Sequence, residues 1–207
     1  MTQQPQQTNA AEPDRSNPFP EVRAGSQATA ELIFTGDELL RGDSLNTNQA
    51  YLGEKLLDLG IFTTHALSVV DNLTAITAAI RAALARRPLV LILSGGLGPT
   101  ADDLTREAVA AALGRPLEHH EYLLEQIRRR FAERGLTMAD SNRKQASLPQ
   151  GAQPIPIAGT APGFYVRHGE TMVVALPGVP WELEAMWTGT VEPLLRDLLG
   201  EKAGHVV

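Results

Sequence analysis

The period of the apolar positions changes along the chain, and each change marks an element. Glu31 to Thr35 reads as a short strand ending in Gly36-Asp37-Glu38. From Asn46 to Leu59 the spacing of Leu52, Leu56 and Leu59 predicts a helix, with Gly60 where a helix-ending glycine belongs. Ile61 to Val70 reads as a second strand. Asp71 or Asn72 then caps a helix whose buried stripe is Ile76, Ile80, Ala83 and Leu84. Pro88 to Leu93 is a continuous apolar run, the pattern of a central parallel strand covered on both faces.

The alternation continues beyond a glycine-rich loop. Ala101 to Leu113 is predicted as a helix with Leu104, Ala108, Ala111 and Ala112 facing inward, stopped by Gly114 and Pro116. A further helix is expected from His120 to Arg134, ended by Gly135. Phe164 to Arg167 and Thr171 to Leu176 read as strands joined by the hairpin signal His168-Gly169, and a last helix is expected from Val179 to Leu199. Strands alternating with helices around an apolar middle strand predict an α/β fold, a three-layer α/β/α sandwich on a mostly parallel sheet. Ligands of such sheets bind outside the carboxyl ends of the strands. That rule places Gly36-Asp37-Glu38, the glycine loop and Pro177-Gly178 on one edge.

Residues 1–28 are rich in Gln, Pro, Asn, Ser and Thr and nearly devoid of large apolar side chains, so they read as a disordered tail. The domain is expected over residues 29–200, with 201–207 a short tail, and there is no internal repeat. A length of 207 residues is room for one domain with a substantial core. The net charge of −6 argues against non-specific nucleic-acid binding, which needs a dense basic surface. There is no cysteine, which removes disulfides, thiolate metal sites and a thiol nucleophile. Apolar runs such as Leu89 to Leu93 are far too short to span a membrane. The first 28 residues carry no apolar stretch of a secretory signal, so the expected location is cytoplasmic.

Candidate chemistry centres on the loop Ser94-Gly95-Gly96-Leu97-Gly98-Pro99-Thr100-Ala101-Asp102-Asp103-Leu104-Thr105. Three glycines between a buried strand and a helix start permit positive φ and close approach of backbone to a ligand, and a helix N-terminus suits phosphate. The loop is neither a Walker A sequence nor a GxGxxG fingerprint. Three glycines also make a plain tight turn, and Thr100 with Asp103 has the spacing of a capping box with Asp in place of Glu. Asp102 and Asp103 side by side would repel a phosphate unless a divalent cation lay between, and oxygen ligands suit Mg²⁺ or Mn²⁺. Asp37 and Glu38 form a second acidic pair on the same edge, equally readable as a solvated turn. Asn142-Arg143-Lys144-Gln145 offers cations and amides for phosphate or ribose, or an exposed helix start. Gly159-Thr160-Ala161-Pro162-Gly163-Phe164 and Pro177-Gly178-Val179-Pro180 are loops with backbone donors and close-approach glycines, or simple turns. The five histidines are scattered without zinc-ligand spacing, no serine sits in a GxSxG elbow, and Trp181 and Trp187 read as core or interface.

Six stretches occur in order: Gly36-Asp37-Glu38-Leu39-Leu40, Asn46-Thr47-Asn48, the glycine loop, Asn142-Arg143 with Gln145-Ala146, Gly159 to Phe164, and Leu176 to Pro180. The set closely resembles the N-terminal domain of CinA-type competence/damage-inducible proteins, from Glu31 to Leu199. The resemblance implies the molybdopterin-binding-like fold shared with MogA, MoaB and one domain of MoeA. It further implies a metal-dependent pyrophosphatase acting on ADP-ribose; a related domain in some FAD synthases is associated with pyrophosphate hydrolysis.

On that reading Asp37, Asp102 and Asp103 hold a divalent metal (Mg²⁺, Mn²⁺ or Co²⁺) and activate water. Gly36, Glu38, Asn48, Gly95, Gly96, Gly98, Thr100, Thr105, Asn142, Arg143, Lys144, Gly159, Thr160, Gly163, Pro177 and Gly178 surround the substrate. The alternatives are a molybdopterin-binding domain without hydrolysis and a non-catalytic competence- or damage-related partner domain. The expected partner is a phosphorylated small molecule, ADP-ribose or a pterin, with no nucleic acid and no membrane. Self-association is common in the family, so a homo-oligomer, a dimer, is expected. Ser94 stands where the family often has threonine and Leu183 where methionine is common. Many members continue into a nicotinamide-nucleotide amidase domain, an activity that residues 29–200 do not carry over.

Overall fold

A computed structural model describes residues 27–203, so most of the expected N-terminal tail lies outside the described residues. Strand β1 (Thr29–Thr35) leads into the short helix α1 (Asp37–Arg41), and α2 (Thr47–Asp58) follows. Strand β2 (Phe62–Val69), helix α3 (Leu73–Ala85), strand β3 (Val90–Ser94) and helix α4 (Thr105–Leu113) continue the alternation. Then come β4 (Leu117–His119), α5 (Glu121–Glu133), a 3-10 helix (Asp140–Ala146), β5 (Ser147–Pro149), β6 (Gln153–Ile155), β7 (Gly163–His168) and β8 (Thr171–Leu176). Helix α6 (Pro180–Met186) passes through a π-helical turn (Trp187–Val191) into α7 (Glu192–Ala203).

The main sheet has six strands in the order β2-β1-β3-β8-β7-β6, and β4 pairs with β5 in a small separate ribbon. β2, β1, β3 and β8 run parallel, while β7 and β6 are antiparallel additions on one edge. Alternate residues of β1 part to opposite faces. Ala30, Leu32 and Phe34 join Leu52 and Leu56 of α2 and Leu183, Trp187 and Leu195 beyond β8 in one buried cluster. Ile33 joins Ile76 and Ile80 of α3, Val109 of α4 and Leu124 and Ile127 of α5 in the other. β3 is buried along its length, as its unbroken apolar run demands. The predicted sandwich is therefore present. Among the described residues no helix is long and apolar enough to cross a membrane.

Several expectations need correction. The helix expected from Ala101 begins at Thr105, so Asp102 and Asp103 belong to the loop and not to a first helical turn. Its inward face includes Val109, while Ala111 is exposed. The expected last helix is two α-helices separated by the π-helical turn, in which the Trp187 ring is buried, whereas Trp181 is 52 % exposed. The last helix continues to Ala203, into the stretch expected as a tail. The three-residue strands β4, β5 and β6 were too short to show a period. The helix expected from His120 begins at Glu121, with His120 at its N-cap.

Candidate functional site

The carboxyl ends of β1, β2, β3 and β8 meet at one edge, where a cavity of about 590 Å³ opens. Of the residues expected there, Gly36, Glu38, Gly95, Gly96, Gly98, Thr100, Asp102, Asp103, Thr160, Pro177 and Gly178 line it. Thr35, Asp71, Leu97, Ala161, Val179, Pro180 and Glu182 complete the wall. Asn48, Thr105, Asn142, Lys144 and Gly163 are placed behind it, and Arg143 is exposed away from it.

The glycine loop is fastened from below, carbonyl by carbonyl. The Thr105 hydroxyl donates to the Gly95 carbonyl at 2.8 Å, and the Thr105 amide donates to the Gly96 carbonyl at 3.2 Å. Arg106 Nη1 and Gln145 Nε2 donate to the Leu97 carbonyl at 3.0 and 3.2 Å. In a planar trans peptide the N–H points opposite to the C=O. The amides of Gly96, Leu97 and Gly98 therefore face away from these anchors, and among the described residues none donates a hydrogen bond. Successive free amides of this kind form an anion-binding concavity.

Glycine is required at two of these positions. Gly95 and Gly96 have φ of 107° and 63°, and a Cβ on Gly95 would stand 2.5 Å from the Thr35 carbonyl oxygen.

Arg106, which the sequence reading passed over, is the cation beneath this nest. It is 1 % exposed, also donates to the Gly98 carbonyl at 2.8 Å, and its Nε finds no partner. Burial pushes its guanidinium below the ordinary arginine value, and Glu107 and Asp103 pull it back. A helical segment led by a polar loop gives no sign that an arginine of its first turn points inward.

A second layer locks the loop. The Asp103 carboxylate accepts from the Thr100 amide at 2.8 Å and from its hydroxyl at 2.6 Å, closing a turn before the helix. The same carboxylate occupies the space where a Cβ on Gly98 would lie. Lys144 Nζ donates to the carbonyls of Asp103 and Thr100 at 2.7 and 2.9 Å and lies 3.5 Å from Glu107. Asn142 hydrogen-bonds Gln145, which holds the Leu97 carbonyl. Asn48 Nδ2 donates to the Ser94 hydroxyl and to the Gly178 carbonyl at 3.0 and 2.8 Å, tying β3 to the end of β8. These polar side chains hold the backbone that faces the cavity.

The opposite rim is acidic, with Glu38, Asp71 and Asp102 lining the cavity and Asp37, which does not line it, held beside Asp71. Asp37 and Asp71, from the ends of β1 and β2, bond to each other's backbone at 3.2 and 3.1 Å. Asn72 caps α3 by accepting from the Ala75 amide, which leaves Asp71 free for this rim. Burial raises the Asp71 carboxyl above the ordinary aspartate value, and Asp37, Glu38 and Asp102 repel its charge further, against the backbone bond that lowers it. The edge rule could have found Asp71, because it follows the strand next to the one that ends in Asp37.

Among the described residues, no three acidic or histidine side chains stand close enough to enclose a metal ion. A magnesium-like cation needs only one or two carboxylates when phosphate oxygens and water supply the rest. The repulsion that Asp37, Glu38 and Asp102 exert on Asp71 fits a cation held in that open manner.

Glu182, in the first turn of α6, lines the third wall beside Thr160. Burial raises its carboxyl above the ordinary glutamate value, and Arg134 counters the rise. Pro180 at the start of α6 was readable, but nothing in the sequence aimed Glu182 at the cavity.

The profile of the family described as "Probable molybdopterin binding domain" matches residues 31–197. A CinA-like protein of Frankia casuarinae is 46 % identical over 180 residues, covering 84 % of this chain and 41 % of the relative. The chain thus spans about two fifths of that curated relative's length. The crystal structure of the protein CinA from Thermoplasma acidophilum is 35 % identical with a TM-score of 0.74, over 81 % of this chain and 98 % of that one. The molybdopterin biosynthesis enzyme MoaB of Thermus thermophilus shares the fold at 20 % identity and a TM-score of 0.57, over 83 % and 94 % of the two chains.

Proposed function

The chain belongs to the family described as "Probable molybdopterin binding domain", among its CinA-like members, and from that premise we propose that it hydrolyses a nucleotide pyrophosphate such as ADP-ribose with a divalent cation. The observation that carries this reading is the polarity of one cavity. Three free amides above a buried arginine form one end, and the carboxylates of Glu38, Asp71 and Asp102 form the other, with Asp37 bonded to Asp71. A diphosphate with a bound cation answers both ends, whereas a bare phosphate would face the carboxylates unscreened.

In this reading the amides of Gly96, Leu97 and Gly98 bind a phosphoryl group, and the fixed positive charge of Arg106 favours it from below. One or two of the carboxylates of Asp37, Asp71 and Asp102 would hold Mg²⁺, Mn²⁺ or Co²⁺, with phosphate oxygens and water completing its shell. The cation would polarise a phosphoryl oxygen and lower the pKa of a bound water. Asp103 is assigned differently from Asp37: its carboxylate braces the Thr100 turn, so its contribution is to hold the loop in shape. Lys144, Asn142 and Gln145 act in the same supporting layer.

The test is AMP release from ADP-ribose by purified protein with Mg²⁺, Mn²⁺ or Co²⁺ in turn. Release with at least one metal is expected, and no release with any of them from folded protein overturns the reading. The free amides equally support capture of a pterin phosphate without hydrolysis. Calorimetry with molybdopterin against ADP-ribose separates the two: tight molybdopterin binding with no AMP release favours the second.

A further inference from the structure

We infer that Glu182 selects the ligand of this cavity by accepting hydrogen bonds from sugar hydroxyls attached to the phosphate on the glycine loop. This rests on the pyrophosphate-site reading and deepens it, because it names the moiety read by the third wall.

The first observation is a notch. The Glu182 carboxylate lies against Gly159, and a Cβ on Gly159 would collide with both its Oε1 and its Cδ. Gly159 does not have a positive φ, so its backbone conformation does not call for glycine; the space does. The chain leaves a gap in the buried 159 position and fills it with a carboxylate.

The second observation is that this carboxylate lacks a donor. Glu182 lines the cavity, yet among the described residues its carboxylate accepts no hydrogen bond and forms no ion pair, and Arg134 acts on it only at a distance. A carboxylate is purely an acceptor, and this one stays open to the cavity, where ligand hydroxyls can take the place of solvent on it. A bound ligand can supply the missing donors.

The third observation identifies the donor. Phosphate oxygens donate nothing when ionised and are repelled by Glu182, so the phosphate end belongs on the amides of Gly96, Leu97 and Gly98. The Thr160 hydroxyl, on the same wall, can both donate and accept. An acceptor-only group beside a donor–acceptor group matches a pair of sugar hydroxyls. Inorganic pyrophosphate offers no such pair.

The test is calorimetry of wild-type protein, Glu182→Ala and Glu182→Gln with ADP-ribose and with inorganic pyrophosphate, at one fixed divalent cation. Loss of charge-assisted hydrogen bonds predicts roughly 10- to 100-fold weaker ADP-ribose binding by Glu182→Ala. Pyrophosphate affinity should stay within about twofold, since it makes none of these bonds. Glu182→Gln, which keeps one acceptor oxygen, should fall between and serves alone if the alanine variant does not fold.

Equal loss for both ligands, no loss for ADP-ribose, or wild-type binding pyrophosphate as tightly as ADP-ribose overturns the inference. AMP release is read separately. Selective loss of ADP-ribose binding without AMP release would sustain the role of Glu182 and defeat the hydrolysis reading.

Discussion

The amide of Asp37 donates to the Asp71 carboxylate at 3.2 Å while the amide of Asp71 donates to the Asp37 carboxylate at 3.1 Å. The two residues are 34 positions apart and end neighbouring parallel strands. Each carboxylate thus keeps one oxygen on backbone, and the pair turns two strand ends into one acidic rim. Asp71→Ala is expected to abolish metal-dependent hydrolysis and to lower stability by about 1–2 kcal/mol, the cost of an orphaned amide. AMP release and chemical denaturation measure the two effects. Full activity in the variant would remove Asp71 from the cation site.

Two glycines of the same loop should respond unequally to an added methyl group. In Gly95→Ala the Cβ meets the Thr35 backbone carbonyl, and φ stays at 107°, so a loss of roughly 2–4 kcal/mol is expected. In Gly98→Ala the Cβ meets only the Asp103 carboxylate, which can swing aside, so the expected loss is about 1 kcal/mol. Ligand affinity should nevertheless fall in both, because the Thr100–Asp103 turn opens in the second. Equal stability losses in thermal denaturation would contradict this account.

Arg106→Ala removes a buried side chain and leaves the Gly98 carbonyl without its donor. A loss of roughly 2–4 kcal/mol is expected from the cavity and the broken hydrogen bonds together. Arg106→Lys restores the charge but not a fork that reaches two carbonyls at once, so affinity for a phosphorylated ligand should recover only in part. Complete recovery would mean that charge alone matters there.

Glu182 gives a pH signature. Its carboxyl is raised by burial, so it binds a proton more tightly in the folded chain than in the unfolded one. Its ionised form therefore costs stability above the raised value, and the cost disappears as pH falls below the unfolded glutamate range. Glu182→Gln should raise Tm at neutral pH, with the gain shrinking toward zero below about pH 4. A gain of the same size at both pH values would show that the effect is not ionisation.

Much of this was already written in the order of residues. The unbroken apolar run of β3, the stripes of α2 and α3 and the glycine loop determined a parallel α/β sandwich and the edge on which the cavity opens, because these signals are local and periodic. Strands of three residues and the π-helical turn left no period to read. The division of labour within the site was settled by tertiary structure. Asp71 and Glu182 reach the cavity because distant strand ends converge there, whereas Asp103 and Lys144 turn to the loop's own backbone. A sequence shows which charges lie near a loop; only the packed chain fixes whether each one faces a carbonyl beneath it or the open cavity above.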